Sequence, residues 1–149
     1  MKTILRMMDH LYWANERLFE QLRAQEVDNP EALRLLRHIA VAEQVWLARL
    51  EGRVSKGFAL WADGSLAEAE ALMRDNERDF RRVVGTLTEE RLDDVVAYET
   101  QSGVPFASSV RDILTHVVLH GQYHRGQINK ALREGGASPV TLDYIVFAR

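Results

Sequence analysis

The stretch THVVLHGQYHRGQI, residues 115–128, carries three histidines at successive intervals of four: His116, His120 and His124. Residues four apart on an α-helix lie one turn apart, rotated by about 40°, with Cβ atoms roughly 5–6 Å from each other. Two imidazoles so placed can both bind one metal ion, while a third ligand has to come from another helix. Imidazole binds zinc, nickel, copper and iron, so the spacing by itself leaves the metal open.

The position of each histidine around this helix selects the pair. With Val110 as origin and about 100° per residue, the apolar stripe of the helix centres near zero. His124 then lies about 40° from the centre, His120 about 80° and His116 about 120°. We therefore expect His120 and His124 to point into the protein and His116 toward its edge. Gly121 leaves room beside them for a ligand or a closely packed helix. A capped or solvated surface pair is the alternative, and the spacing leaves it open.

Capping and turn residues divide the rest of the chain into long helices. The predicted boundaries are a first helix over about residues 3–26, a second from Asn29-Pro30 to about Glu51, a third from Ser65 to about Gly85, and the histidine-bearing helix from Ser109 to about Glu134. Four long helices with one long connection before the last predict an all-α fold. We expect a four-helix bundle that forms a single domain over residues 1–149.

Three segments outside the helices are also apolar. Residues 93–107 combine strand-forming residues with a turn, and Pro105 confines any return strand to an edge, which predicts a small hairpin or an extended crossover. Residues 52–64 contain Phe58, Leu60 and Trp61, which are too apolar for a freely solvated linker. Residues 137–149 are likewise too apolar to float, so we expect this tail to pack against the bundle or a partner.

Composition excludes several classes of function. Nineteen Lys and Arg against 22 Asp and Glu give a net charge of −3, which lacks the basic excess of a nucleic-acid-binding domain. The chain has no cysteine, which excludes disulfides, thiolate metal sites and cysteine nucleophiles. The first residues, MKTILRMMDHLYW, fit neither a signal peptide nor a membrane span. We therefore expect a soluble, cytoplasmic protein with no nucleic-acid or membrane partner.

Several other polar residues are candidates for the site or the core. His38 lies on the second apolar flank of the second helix, where it is either a third ligand or a hydrogen-bonded, partly buried histidine. His10 lies on the polar side of the first helix, and we expect it to be solvated. Asn15 and Glu43 occupy core-facing positions, either as pocket groups or as helix-to-helix hydrogen bonds. Arg125 is expected on the solvated outer face.

Other known catalytic motifs are missing. No Glu stands three residues before any of the five histidines, so the Glu-x-x-His pairs of di-iron bundles are absent. The chain also lacks HExxH, a glycine-rich phosphate loop and GxSxG. With these motifs absent, a metal site for one ion, formed by histidines, is the remaining candidate for catalytic chemistry.

The segment HGQYHRGQI, residues 120–128, strongly resembles the DinB/YfiT-like family of metalloenzymes. The resemblance extends to DHLYWANERLFEQL at residues 9–22, LRHIAVAEQVWLARL at residues 36–50 and ASPVTLDYIVF at residues 137–147. It implies a four-helix bundle, usually dimeric, in which three histidines hold zinc or nickel. Position by position these metal ligands are His38, His120 and His124, and the choice of His38 rests on the resemblance.

The resemblance also implies a metal-dependent enzyme, although it names no reaction. Related branches are thiol-dependent S-transferases or isomerases, and the family name refers to induction by DNA damage. We expect a small-molecule substrate, with a low-molecular-weight thiol as one candidate and a hydrolase-like reaction as another. The alternative is a non-catalytic dimeric bundle that binds a metal or senses a ligand.

Three imidazoles leave an open coordination position, which is typical of a catalytic metal site. Because the chain has no cysteine, the nucleophile has to come from water or a small thiol. We expect Glu43 or Asn15 to orient it, and Tyr12 or Tyr123 to line the pocket.

Overall fold

Three of the four long helices begin at a residue whose side chain caps the first turn. In the computed structural model, which describes residues 1–149, the Asn29 side chain accepts from the Ala32 amide, Ser65 and Glu68 form a reciprocal capping box, and Ser109 accepts from the Asp112 amide. The long helices are α1 (Lys2–Ala24), α2 (Pro30–Leu50), α3 (Leu66–Gly85) and α4 (Val110–Glu134). They confirm the predicted helices to within two residues at each end. None of them is both long and apolar enough to cross a bilayer.

The connection between α3 and α4 is a hairpin, which confirms the first of the two predicted alternatives. After a 3₁₀ helix at Glu90–Asp93, strands β1 (Val95–Glu99) and β2 (Pro105–Ser109) pair antiparallel, with Val95 opposite Ser109. Pro105 pairs with Glu99 at the turn end, as the first residue of a strand that has a partner on one side only, where a missing amide hydrogen costs least. Because β2 runs directly into α4, the hairpin fixes where the histidine-bearing helix begins.

Arg49 holds the hairpin against α2. Its guanidinium carbon lies 4.3 Å from the Trp46 ring centroid and 4.4 Å from that of Tyr98 on β1. It also donates a hydrogen bond of 3.1 Å to the Glu99 carbonyl oxygen. The guanidinium therefore stacks between two aromatic rings, an arrangement that stabilises this buried cation.

The interior of the bundle has two apolar clusters with a polar layer between them. One cluster has 16 buried residues and includes Phe19 and Ile39, and the other has 12 and includes Leu11 and Phe80. Glu43 on α2, Asn76 on α3 and Arg125 on α4 are buried polar residues that fall between the two clusters along the chain, and the buried Asn15 on α1 follows Ala14 at the edge of the larger cluster. We call these four residues the polar layer.

The C-terminal segment packs on α1, one of the two alternatives for the apolar tail. It ends in a short helix, α5 (Tyr144–Ala148), whose Phe147 ring lies 5.8 Å from that of Trp13 on α1. The prediction that His10 is solvated is wrong, because this segment covers it: His10 is only 3% exposed. Its Nε2 donates to the Leu142 carbonyl oxygen at 2.9 Å, and the Tyr144 ring lies 5.3 Å away.

Candidate metal centre

The three histidines that the sequence and the resemblance selected meet at one point. His38 on α2 and His120 on α4 bring their Nε2 atoms to 3.2 Å, and the Nε2 atoms of His120 and His124 lie 3.1 Å apart. One ligand atom from each of the three rings lies within 4.8 Å of the other two. The structure therefore brings together all three predicted ligands, from two different helices.

The second nitrogen of two of these rings is fixed by an acceptor. His38 Nδ1 donates to the Leu60 carbonyl oxygen at 2.9 Å, and His124 Nδ1 donates to Gln127 Oε1 at 2.7 Å. Since a neutral imidazole carries one proton, the Nε2 atoms of both rings present lone pairs toward His120. A proton on His120 Nε2 can satisfy only one of them. Two lone pairs that converge on a third nitrogen are an arrangement that a cation stabilises.

The spacing of these nitrogens also fits a metal ion. Zinc binds imidazole nitrogen at about 2.0–2.1 Å in tetrahedral sites, which puts two ligand nitrogens roughly 3.3 Å apart. The spacings of 3.1 and 3.2 Å are close to that value. An all-imidazole donor set suits zinc and nickel and disfavours calcium and magnesium, which prefer oxygen. The residues present therefore fit a divalent transition metal.

Burial keeps His38 and His120 in the uncharged form that binds metal. Desolvation lowers the pKa of His38, and Leu60 opposes this only in part by accepting its proton. Desolvation, with the neighbouring His124 and His38 rings next in size, lowers the pKa of His120 to about 3. At neutral pH, His38 and His120 are therefore uncharged and free to donate a lone pair.

The loop at residues 52–64 forms one wall of the site. Trp61 stacks on His38 with ring centroids 3.6 Å apart and planes inclined by 7°. The loop is tied to α2 by Arg37, whose Nη1 donates to the Ala59 carbonyl oxygen at 2.7 Å. This loop and α4 enclose His38 from two sides, which explains why His38 is buried away from the main stripe.

A groove of about 610 Å³ lies beside the histidines. Trp61 and Tyr123 line it, and His124 contributes the part nearest to the cluster. Its remaining lining residues are Glu31, Arg34, Leu35, Gln127, Lys130, Ala131 and Glu134. Tyr123 therefore lies where the sequence analysis placed it.

Tyr12 does not line the groove, and that prediction is wrong. It is buried in the apolar cluster around Leu11 and Phe80, and the Arg81 guanidinium lies 4.4 Å from its ring centroid. Tyr12 directly follows Leu11, a residue of the apolar stripe of α1. That position does not indicate whether its side chain lies beside the groove or at the other end of the bundle. His116 lies outside the cluster, as the resemblance implies, with its ring 4.9 Å from Trp46 and 5.4 Å from His120.

Arg125 is buried, so its predicted place on the outer face is wrong. The side chain is only 1% exposed, and its Nη2 donates to Asn15 Oδ1 at 2.5 Å and to the Leu11 carbonyl oxygen at 3.4 Å. The space beside Gly121 is filled by this guanidinium, where we expected a ligand or a helix. On the helix wheel Arg125 lies only about 60° from the stripe centre. The helical wheel therefore indicated that Arg125 faces the core, whereas its charge indicated an exposed position, and the prediction followed the charge.

Asn15 and Glu43 are buried as predicted, and their bonds join helices. Asn15 accepts from Arg125, while Glu43 Oε2 accepts from Asn76 Nδ2 at 3.0 Å. Burial raises the pKa of Glu43 to about 7, although the Asn76 bond and the Arg125 charge oppose this. Neither residue hydrogen-bonds to a histidine of the cluster. Of the two alternatives for these residues, the structure shows helix-to-helix hydrogen bonds.

Comparison with known proteins agrees with this architecture. The DinB family model matches residues 1–149. Protein DinB of Bacillus subtilis is 24% identical over 93% of this chain and 90% of its own length. The B. subtilis protein YizA is 24% identical over 89% of this chain and 83% of its own length. The crystal structure of a DinB-like protein from Bacillus cereus superposes with a TM-score of 0.63 at 17% identity, covering 92% of this chain and 93% of that one.

Proposed function

Because this chain belongs to the DinB family, we propose that it binds one divalent metal ion, zinc or nickel, through His38, His120 and His124. We propose further that it is a metal-dependent enzyme acting on a small molecule in the adjacent groove. The convergence of three imidazole Nε2 atoms from two helices carries this proposal. Three protein ligands are the number typical of catalytic zinc, whereas structural zinc takes four.

The residues around the cluster prepare it for this chemistry. When bound, the metal supplies Lewis-acid chemistry, which lowers the pKa of a water or a thiol at its open position. Leu60 and Gln127 hold protons on the far nitrogens of His38 and His124, which keeps both near nitrogens free. Trp61 covers one face of the His38 ring and shields it from solvent. The chain has no cysteine, so its own side chains supply no thiol nucleophile.

The groove suits a small substrate with an apolar body and a charged head. Trp61, Tyr123 and Leu35 offer apolar surface near His124. Farther out, Arg34 pairs with Glu31 at 2.7 Å and Lys130 with Glu134 at 2.6 Å. Pairs of this kind are exposed and weak, so a charged ligand can replace one partner at little cost. We propose thiol-dependent S-transfer or hydrolysis as the reaction.

The experiment that tests metal binding is elemental analysis of the purified chain. We expect close to one zinc or nickel ion per wild-type chain. The double variant His120→Ala/His124→Ala should lose it, whereas the control His116→Ala, on the same helix and at the same spacing, should keep it. A wild-type chain without metal after incubation with zinc and with nickel would overturn the proposal. So would a double variant that keeps its metal.

A panel of small thiols with electrophiles, together with ester and amide substrates, tests catalysis. Turnover that requires metal and is lost in His38→Ala supports an enzyme. If the protein binds metal but turns over neither the thiol and electrophile mixtures nor the ester and amide substrates, the result favours a non-catalytic, ligand-sensing bundle.

We also propose that the chain acts as a cytoplasmic homodimer. Two apolar residues of α5, Ile145 and Val146, are 57% and 39% exposed, which supports a further contact surface at this end of the molecule. Light scattering coupled to size-exclusion chromatography measures the mass in solution. A monomer at all concentrations would contradict this proposal.

A further inference from the structure

The polar layer connects all four long helices at the level of the histidine cluster. Arg125 on α4 donates to Asn15 on α1 at 2.5 Å, and Asn76 on α3 donates to Glu43 on α2 at 3.0 Å. Asn76 also donates to the Ala40 carbonyl oxygen at 2.8 Å. Arg125 and Glu43 have opposite charges, and each lowers the free energy of the other's ionised form. Direct hydrogen bonds of the layer therefore tie α4 to α1 and α3 to α2.

Two of the three histidines of α4, His120 and His124, are each followed directly by a residue of this buried contact. Gly121 follows His120, and Arg125 follows His124. A Cβ atom on Gly121 would lie 2.9 Å from Arg125 Nη1, so only glycine leaves the guanidinium its present place. Because adjacent helix residues point about 100° apart, holding Arg125 against α1, in the space that Gly121 leaves, sets the direction in which His120 and His124 point.

Burying this layer is costly for stability. Removing a guanidinium and a carboxylate from water costs several kcal/mol per ion, and well-packed apolar replacements are often more stable. Moreover, Arg125 Nε and Nη1 and Glu43 Oε1 have no hydrogen-bond partner in the protein. Apolar residues would hold the bundle together at least as well, although they would allow the helices to rotate and slide more freely.

We propose that the polar layer, with Gly121, is a positioning device that fixes the rotation of α4 against α1, so that His120 and His124 meet His38. This inference rests on the proposed metal site and deepens it. Arg125, Asn15, Glu43 and Asn76 act through the histidines and touch neither metal nor substrate.

The test compares two glycines of the same helix. Gly121→Ala displaces the Arg125 guanidinium, whereas a Cβ at the control Gly126 meets nothing within 4 Å. Both changes raise helix propensity by about 1 kcal/mol. Each purified full-length chain is titrated with Zn²⁺ against a chromophoric chelator, and its Co²⁺ complex is examined by visible absorption. We expect Gly121→Ala to weaken Zn²⁺ binding by about 10- to 100-fold and to change the Co²⁺ spectrum, and Gly126→Ala to match the wild type.

A second variant combines Arg125→Met with Glu43→Gln. The first change removes the guanidinium, and the second removes the carboxylate that would otherwise stay buried without its positively charged neighbour. It should keep a folded, metal-free bundle by circular dichroism, with weaker Zn²⁺ binding and an altered Co²⁺ spectrum. Wild-type affinity and spectrum in both variants would overturn this inference alone. Failure of both variants to fold without metal would assign the layer to stability and also overturn it. A wild-type chain that binds no metal would overturn the proposed function together with the inference.

Discussion

At the scale of single residues, hydrogen bonds and burial decide what each imidazole can do. His38 and His124 give their Nδ1 protons to oxygen acceptors and turn Nε2 toward His120. His10 gives its Nε2 proton to the Leu142 carbonyl oxygen and serves as an anchor for the C-terminal segment. Identical side chains therefore take different roles because their neighbours fix different tautomers.

The pH dependence of stability follows from the buried histidines. The pKa of His120 is about 3 in the folded chain and about 6.5 in the unfolded one, so the unfolded state binds more protons between these values. The stability that this group contributes is complete above pH 6.5 and is lost as the pH falls toward 3. We expect the metal-free wild type to lose stability relative to His120→Gln by at most about 1.4 kcal/mol per pH unit.

Urea unfolding of both metal-free chains at pH 7, 6, 5 and 4 measures this difference. Glu43 acts in the opposite direction, because burial raises its pKa to about 7, but it is common to both chains. A constant difference between the two chains over this range would contradict the prediction.

At the scale of elements, the segments outside the four long helices complete the site and the core. The loop at residues 52–64 covers His38, and the C-terminal segment covers His10. Each covering segment contributes a backbone carbonyl to the histidine and an aromatic ring against it: Leu60 and Trp61 in the loop, Leu142 and Tyr144 in the tail. The loop and the C-terminal segment depend on these contacts with the bundle to hold their conformations. Loss of such a contact should therefore increase local unfolding of the segment.

We expect Trp61→Leu to weaken Zn²⁺ binding by roughly tenfold, because residues that hold a ligand contribute this much to metal affinity. The Trp61 ring stacks on His38, and its loss frees both the imidazole and the neighbouring Leu60 carbonyl group. Val54→Ala is the matched control, since Val54 is in the same loop and 80% exposed. Chelator competition gives both affinities, and equal values would contradict the role of Trp61.

We expect His10→Ala to destabilise the chain by about 1–3 kcal/mol and to release α5, because it removes a buried hydrogen bond and three aromatic contacts. Urea unfolding gives the stability, and limited proteolysis followed by mass spectrometry detects cleavage near residue 144. The exposed Glu20 on the same helix offers a control, Glu20→Ala. If the C-terminal segment were as protected in His10→Ala as in the wild type, His10 would not be its anchor.

At the scale of the whole molecule, the bundle holds α2 and α4 side by side, and the three histidines of the proposed metal site come from both. An ion bound there would join two helices that are separated along the chain by the 59 residues between Leu50 and Val110. Such a link is available only in the folded chain, so binding adds to folding stability.

We therefore expect zinc or nickel to raise the melting temperature of the wild type. At a free metal concentration of 100 times Kd the added stability is about 2.7 kcal/mol, and EDTA should reverse it. His120→Ala/His124→Ala should show no shift, while His116→Ala should respond like the wild type. Thermal unfolding followed by circular dichroism measures all three. An equal shift in the double variant would place the binding elsewhere on the chain.

The sequence by itself determined the helices, their caps and the inward direction of His120 and His124, and it limited residues 93–107 to a hairpin or an extended crossover. These features are local, because capping residues act within one turn and helical periodicity acts along one element. The burial of Asn15 and Glu43 was predictable for the same reason, since both lie on apolar stripes. His38 was identified only through the family resemblance, because its flank of α2 gave no preference between a ligand and a core histidine.

Only the tertiary structure decided what covers each surface. His10 and Arg125 looked exposed because one lies off the stripe and the other is charged, yet distant segments bury both. His10 is covered by residues more than 130 positions away, and Arg125 bonds to α1 across 110 positions. Periodicity within one helix reports which side is apolar, but it holds no information about which remote backbone or side chain arrives there. The meeting of His38 with α4 depends on the same long-range packing.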